Sequence, residues 1–344
     1  MKSKITFAFL AFSMMLFAQE ATDEQETAKK FTITGSVDTY FRTNFTGPNQ
    51  ADEDGIFLNP GTAFANRSGF SIGMANAIFK YEGEKVGFVA DLVFGPRGED
   101  AVFLSSPSNN IVNQLYAYWN VSDKVTLTLG NFNTFLGYEV ISPVGNFNYS
   151  TSYMFSYGPF SHTGFKADIA LSDDFSLLLA VMNSTDFTEI NLDGSYTFGA
   201  QLGYKNQYLN FIYGNQTFAS GTTFQIDYTG GADVTDDFFM GINATYNDTD
   251  GSGFYGAALY PQYSITESLA LGLRAEYFGF HYDDDTIDDD NVFAATLSAN
   301  YKINDLTIIP EVRLDSWSSD VYFDNDLMPT KSLASFLIAA VYKF

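Results

Sequence analysis

Three sets of residues in this chain have types and spacings that could carry chemistry. The first is Ser161 beside His162, a nucleophile and a base of the kind hydrolases use. Sequence neighbours rarely meet in that geometry, and His281 is the only other histidine. Both histidines read as loop residues, and no enzyme is expected. The second set is the acidic run Asp283-Asp284-Asp285-Thr286-Ile287-Asp288-Asp289-Asp290, rich in oxygen ligands for a hard cation. It lacks the Gly and closing Glu of an EF-hand loop and reads instead as a solvated outer loop that makes its mouth negative. The third set is Asp38, Arg42, Asp91, Arg274, Glu276, Glu311, Arg313 and Asp315. Each stands at a polar position of an alternating run.

That alternation identifies the elements that must position them. In "SLALGLRAEYFGF", Leu269, Leu271, Leu273, Ala275 and Tyr277 share one face, and Gly272, Arg274 and Glu276 the other. In "DLTIIPEVRLDSW", Leu306, Ile308, Val312 and Leu314 oppose Glu311, Arg313 and Asp315. A period of two is the signature of strands. Charges on the inward face of a pore tune selectivity through their local field, whereas facing lipid they would cost a few kcal/mol. For any single residue the ordinary alternative is a structural salt bridge across strands.

The connections are equally regular. "SDKVTLTLG", "LSDDFSLLLA", "VTDDFFMGIN", "ITESLALGLR" and "INDLTIIPEV" each place Ser, Thr or Asn beside an acid just before an alternating run. Such side chains bond their own backbone and form tight turns. Between consecutive short turns lie two strands joined by a longer polar loop, such as "TGPNQADEDG" or "GPRGEDAVFLSSPSNN". Short turns at one end and long loops at the other describe a transmembrane barrel. The expectation is an all-β, antiparallel up-and-down barrel of about sixteen strands, with fourteen as the alternative.

Composition agrees. The chain holds 35 Phe and 22 Tyr, more than a soluble core needs, and tyrosines recur near expected strand ends (Tyr40, Tyr81, Tyr118, Tyr204, Tyr208, Tyr263, Tyr282, Tyr301 and Tyr342), where they suit headgroup interfaces. With 41 acidic and 17 basic residues the net charge is −24, so nucleic acid is not expected as a partner. There is no cysteine, which excludes disulfides and thiolate chemistry. No cofactor and no metal are expected. Lys2 and Lys4 precede an apolar stretch from Ile5 to Phe17, too short to span a bilayer. Residues 1–18 therefore read as a cleaved secretory signal, 19–30 as a short periplasmic segment and 31–344 as the barrel. The closing strand "SLASFLIAAVYKF" ends on an aromatic residue, the type of signal that outer-membrane assembly machinery reads.

One insertion stands apart, Leu136 to His162: "LGYEVISPVGNFNYSTSYMFSYGPFSH". It is too long for a simple connection and too aromatic for a solvated one. It is expected to fold into the barrel and narrow it, with Tyr138, Glu139, Asn146, Asn148, Tyr149, Tyr153 and His162 at the constriction; the alternative is a cap over the outer rim. Gly137-Tyr138-Glu139, Asn146 to Tyr153 and Pro159-Phe160-Ser161-His162-Thr163-Gly164, with the flanking "LTLGNFNTFLG" and "LLLAVMNSTD", resemble the OmpL-like β-barrel porin family of Bacteroidota outer membranes. In that family a basic residue often stands where this chain has Thr151. The resemblance implies an outer-membrane porin and no particular solute. The expected function is passive diffusion of small hydrophilic solutes through a water-filled lumen; the alternative is a surface adhesin or binding module with a closed lumen. The expected partners are outer-membrane lipid, those solutes and the assembly machinery, with a homotrimer as an open option.

Overall fold

The computed structural model describes residues 30–217, 219, 221–284 and 286–344. The expected signal sequence and residues 19–29 lie outside the described residues, while Lys30 already belongs to the first strand. Sixteen antiparallel strands close into a barrel. They are β1 (Lys30–Asn44), β2 (Gly69–Glu82), β3 (Val86–Phe94), β4 (Val112–Ser122), β5 (Val125–Asn133), β6 (Ser161–Ala170), β7 (Phe175–Met182), β8 (Thr197–Tyr204), β9 (Gln207–Asn215), β10 (Thr222–Asp233), β11 (Phe238–Thr249), β12 (Ser252–Ser264), β13 (Leu269–Tyr282), β14 (Asn291–Ile303), β15 (Leu306–Trp317) and β18 (Ser332–Lys343). A small hairpin in the last loop supplies β16 (Tyr322–Phe323) and β17 (Pro329–Thr330). Helices α1 (Pro96–Ala101) and α2 (Tyr153–Tyr157) lie in the β3–β4 and β5–β6 connections. Each strand pairs with its neighbours in sequence, and β1 closes on β18 from Ser36↔Lys343 to Asn44↔Ser335.

Closure leaves no unpaired edge, as spanning hydrocarbon requires. The alternation then sorts the side chains. Leu273, Val312 and Leu314 are exposed on the outside, and between them Arg274, Glu311 and Arg313 are buried inside. Among the described residues no helix is long and apolar enough to cross a membrane. Tyr204, Tyr263, Tyr301 and Tyr342 stand exposed near the short-turn end, one of the two levels where amphipathic rings favour an interface. Tyr40 departs from the expected belt. It sits on the inward face of β1, buried against Tyr149, because it shares the parity of Asp38 and Arg42.

Seven short turns occupy one end, including Lys205-Asn206 and Asn304-Asp305. At the other end one connection departs from the expected long loop: β11 and β12 are joined by Asp250-Gly251 alone. Both residues have positive φ, 52° and 87°, the paired left-handed geometry of a tight hairpin, which Gly adopts without strain. The long β5–β6 connection spans residues 134–160, so Ser161 and His162 open β6 and do not belong to a loop. His281 likewise lies within β13.

Candidate functional site

A chain segment without regular pairing must satisfy its own amides and carbonyls wherever water is scarce. Residues 136–160 solve this with wall side chains from strands on several sides of the barrel. Glu311 of β15 accepts the backbone N–H of Tyr149 and, at 3.1 Å, that of Ser150. Glu276 of β13 accepts the N–H groups of Tyr153 (3.0 Å) and Met154 (2.8 Å), at the start of α2. Glu139, on the segment itself, accepts from Ser152 N at 2.7 Å.

Arginines take the carbonyls. Arg274 donates to Ser150 O at 2.6 Å while its guanidinium also binds Glu139 at 2.6 Å. Arg313 donates to Thr151 O at 2.7 Å and is held by Asp315. Arg97, from α1, donates to Ile141 O (2.9 Å) and Tyr149 O (3.3 Å), with its guanidinium over the rings of Phe64 and Tyr149. Hydrogen bonds to charged groups are worth roughly twice neutral ones, which offsets part of the cost of desolvating these charges.

Side chains complete the fit. The Tyr149 hydroxyl donates to Asp38 of β1, and burial together with the Asp38 carboxylate pushes the phenol above its ordinary range, so it stays a neutral donor. Asn148 Nδ2 donates to Ser298 Oγ at 2.6 Å, and that hydroxyl donates onward to Glu311 at 2.9 Å. Tyr138 stacks on Tyr260 with ring centroids 4.1 Å apart, over Gly241. A Cβ at Gly241 would come within 2.4 Å of the Tyr138 hydroxyl, so only glycine leaves room for the ring. Tyr153 packs on Phe278 and edge-on to Trp317. Contacts from one segment to β1, β10, β12, β13, β14 and β15 of a closed barrel are available only from its inside.

Eleven of the singled-out residues thus meet in one network: Asp38, Tyr138, Glu139, Asn148, Tyr149, Tyr153, Arg274, Glu276, Glu311, Arg313 and Asp315. Four do not. Arg42 faces the carbonyls of Asn59 and Asn66 in the β1–β2 loop. Asp91 accepts from Asn113 (2.7 Å) and Asn76 (3.2 Å), away from the segment. His162 lies fully buried at the segment's root, bound to the Thr134 hydroxyl at 2.9 Å and packed on Phe135, and among the described residues no hydrogen bond joins its ring to Ser161. Asn146 closes a small exposed loop by exchanging two hydrogen bonds with the backbone of Val140.

Sequence reasoning missed Arg97, Asp227 and Asp186. Arg97 sits in a loop, where no periodicity marks it. Asp227 of β10, which accepts from Gly137 N at 2.9 Å, was legible from the inward parity of "FQIDYTG". Asp186 has φ +68° and accepts from Phe160 N (2.6 Å) and Ser161 N (3.0 Å), fixing the segment's exit. The residue as a whole is half-exposed, but its carboxylate turns onto those amides, and burial pushes it up to about 6. Among the described residues no cluster of three or more His, Asp or Glu is placed to hold a metal ion.

Known proteins share this architecture. The outer membrane channel DcaP of Acinetobacter baumannii is 13% identical, with a TM-score of 0.61 over 94% of this chain and all of that one. An anion-selective porin from Comamonas acidovorans is 10% identical, with a TM-score of 0.62 over 92% of this chain and all of that one. OmpT of Vibrio cholerae, determined in a trimer form, is 11% identical, with a TM-score of 0.59 over 92% of this chain and all of that one. At such identities the likeness is one of fold. No curated protein matches. The chain itself, from residue 30 to residue 344, matches the family described as "Putative beta-barrel porin-2, OmpL-like", and with a closed sixteen-stranded barrel of outward apolar and inward polar side chains it belongs to that family of outer-membrane porins.

Proposed function

We propose that the protein is a passive channel of the outer membrane, through which small hydrophilic solutes diffuse in a water-filled lumen narrowed by residues 136–160. A sixteen-stranded barrel is wide enough to leave an aqueous channel unless something fills it. The observation that carries the reading is how the filling segment is held. It is tied to the walls of β1 and β10–β15, while the inward side chains of Tyr116, Tyr118, Lys166 and Asp168 on β4 and β6 stay partly exposed. A segment whose hydrogen bonds to strand side chains lie mainly on one part of the wall narrows a pore without sealing it. The charged residues act here first as fasteners of the segment and only secondarily as a field on the solute. A trimer, the form of one structure it resembles, is the proposed assembly, and the aromatic closing strand β18 the proposed signal for the assembly machinery.

Purified protein in a planar bilayer is expected to give discrete, stable conductance steps that scale with bulk salt conductivity, as diffusion through water requires. A silent bilayer with correctly folded protein contradicts the channel and favours a surface-binding barrel.

A further inference from the structure

The register of β4, β5 and β6 places side chains in rows across a wall that the segment touches only at its root, where Leu136 packs on Phe132 and Tyr116. Tyr118 pairs with Thr128, and Thr128 with Lys166; below them Asn120 pairs with Thr126, and Thr126 with Asp168. Their parity is inward, since Leu115, Trp119 and Phe165 between them are exposed on the outside. Among the described residues no hydrogen bond joins Tyr116, Tyr118, Asn120, Lys166 or Asp168 to the segment 136–160. The only charges in this set neutralise each other: Lys166 Nζ lies 2.7 Å from Asp168. A second pair of the same kind, Lys80 and Glu82 at 2.6 Å, stands nearer the short-turn end of β2.

The segment's own exposed edge is also uncharged. It runs from Val140 to Asn146; Val140 is 40% exposed with the Asn146 amide tied back to it, Ser142, Val144 and Gly145 are partly exposed, and Ile141 and Pro143 between them are buried. The acids and arginines of the lumen that touch the segment are buried in holding it and offer their polar atoms to its backbone. An ion in such a passage sheds part of its hydration and receives no opposite charge in return. A neutral, hydroxyl-rich solute exchanges water for amide and phenol hydrogen bonds and lays its apolar ring face on tyrosine.

We propose that the passage runs between the edge Val140–Asn146 and the wall formed by β4–β6, and that it takes neutral, hydroxyl-rich solutes of the sugar class. This deepens the channel reading and rests on it. The full-length mature protein is reconstituted into phosphatidylcholine liposomes, and swelling is followed in iso-osmotic glucose, sodium gluconate and glucosamine hydrochloride. Glucose is expected to enter about threefold faster than either charged analogue, a modest preference for a pore with an uncharged constriction. Val140→Asp, at an exposed position of the passage, is expected to raise the glucosamine-to-gluconate rate ratio several-fold over that of the unaltered protein. Equal rates for the three solutes, or a charged analogue entering fastest, overturn the inference. No swelling in any of them overturns the channel reading itself.

Discussion

Deletion of residues 140–158, bridged by a short Gly-Ser link, is expected to raise single-channel conductance about two- to fourfold, because a sixteen-stranded barrel without an inner segment keeps a wide lumen. The barrel itself should survive. Its ladders run from strand to neighbouring strand and close through β1 and β18, with no register that depends on the segment. The wall charges left behind can re-pair locally, since Arg274 and Glu276, like Arg313 and Asp315, share a strand face, and water would enter to solvate the rest. Unchanged conductance in planar bilayers would mean that the segment does not limit the flow.

Arg274→Ala is expected to have the largest effect of any single substitution. The guanidinium is fully buried and joins Glu139, Ser150 O and Thr296 Oγ1. Removing it leaves two buried carboxylates, Glu139 and Glu276, without their closest cation. Breaking a buried pair on one side costs about 3 kcal/mol or more, less wherever water reaches the orphaned group. Since the strands are held separately, the loss falls on the segment. The expected signature is flickering conductance and new protease cleavage within residues 140–146, with the barrel still folded. Arg274→Lys should restore little, because an ammonium lacks the planar fork that reaches Glu139 and Ser150 together. A variant with quiet steps and no new cleavage would show that the network is not what fastens the segment.

The barrel was legible because its physics is local. Period-two alternation assigns faces residue by residue, and Arg274, Glu276, Glu311 and Arg313 all lie inward at the parity read from their runs. The turn residues Ser, Thr, Asn and Asp mark strand ends for the same reason. The Asp250-Gly251 hairpin carries an equally local signal, Asp before Gly, and stands where the alternation of short turns and long loops predicts a long one. Depth and partnership were not legible. Asp91 and Asp315 share the inward parity, yet Asp91 pairs with asparagines of neighbouring strands while Asp315 holds an arginine beneath the segment. Tyr149 and Glu311 are 162 residues apart, and no periodicity links them. Arg97 enters from a one-and-a-half-turn helix in a loop, where spacing says nothing about direction. His162 is the second residue of β6 where a loop is expected, because a strand boundary is the least determinate feature of any alternating run.

The most direct test places a single thiol at the segment's water-facing edge. The chain has no cysteine, so Val140→Cys is unique. In a planar bilayer, a bulky charged methanethiosulfonate reagent should lower the current in irreversible steps, one per modified pore, as the proposed path of the solute past Val140 requires. If mass spectrometry shows the thiol fully modified while the current is unchanged, residues 136–160 do not line the passage, and the inward constriction is wrong.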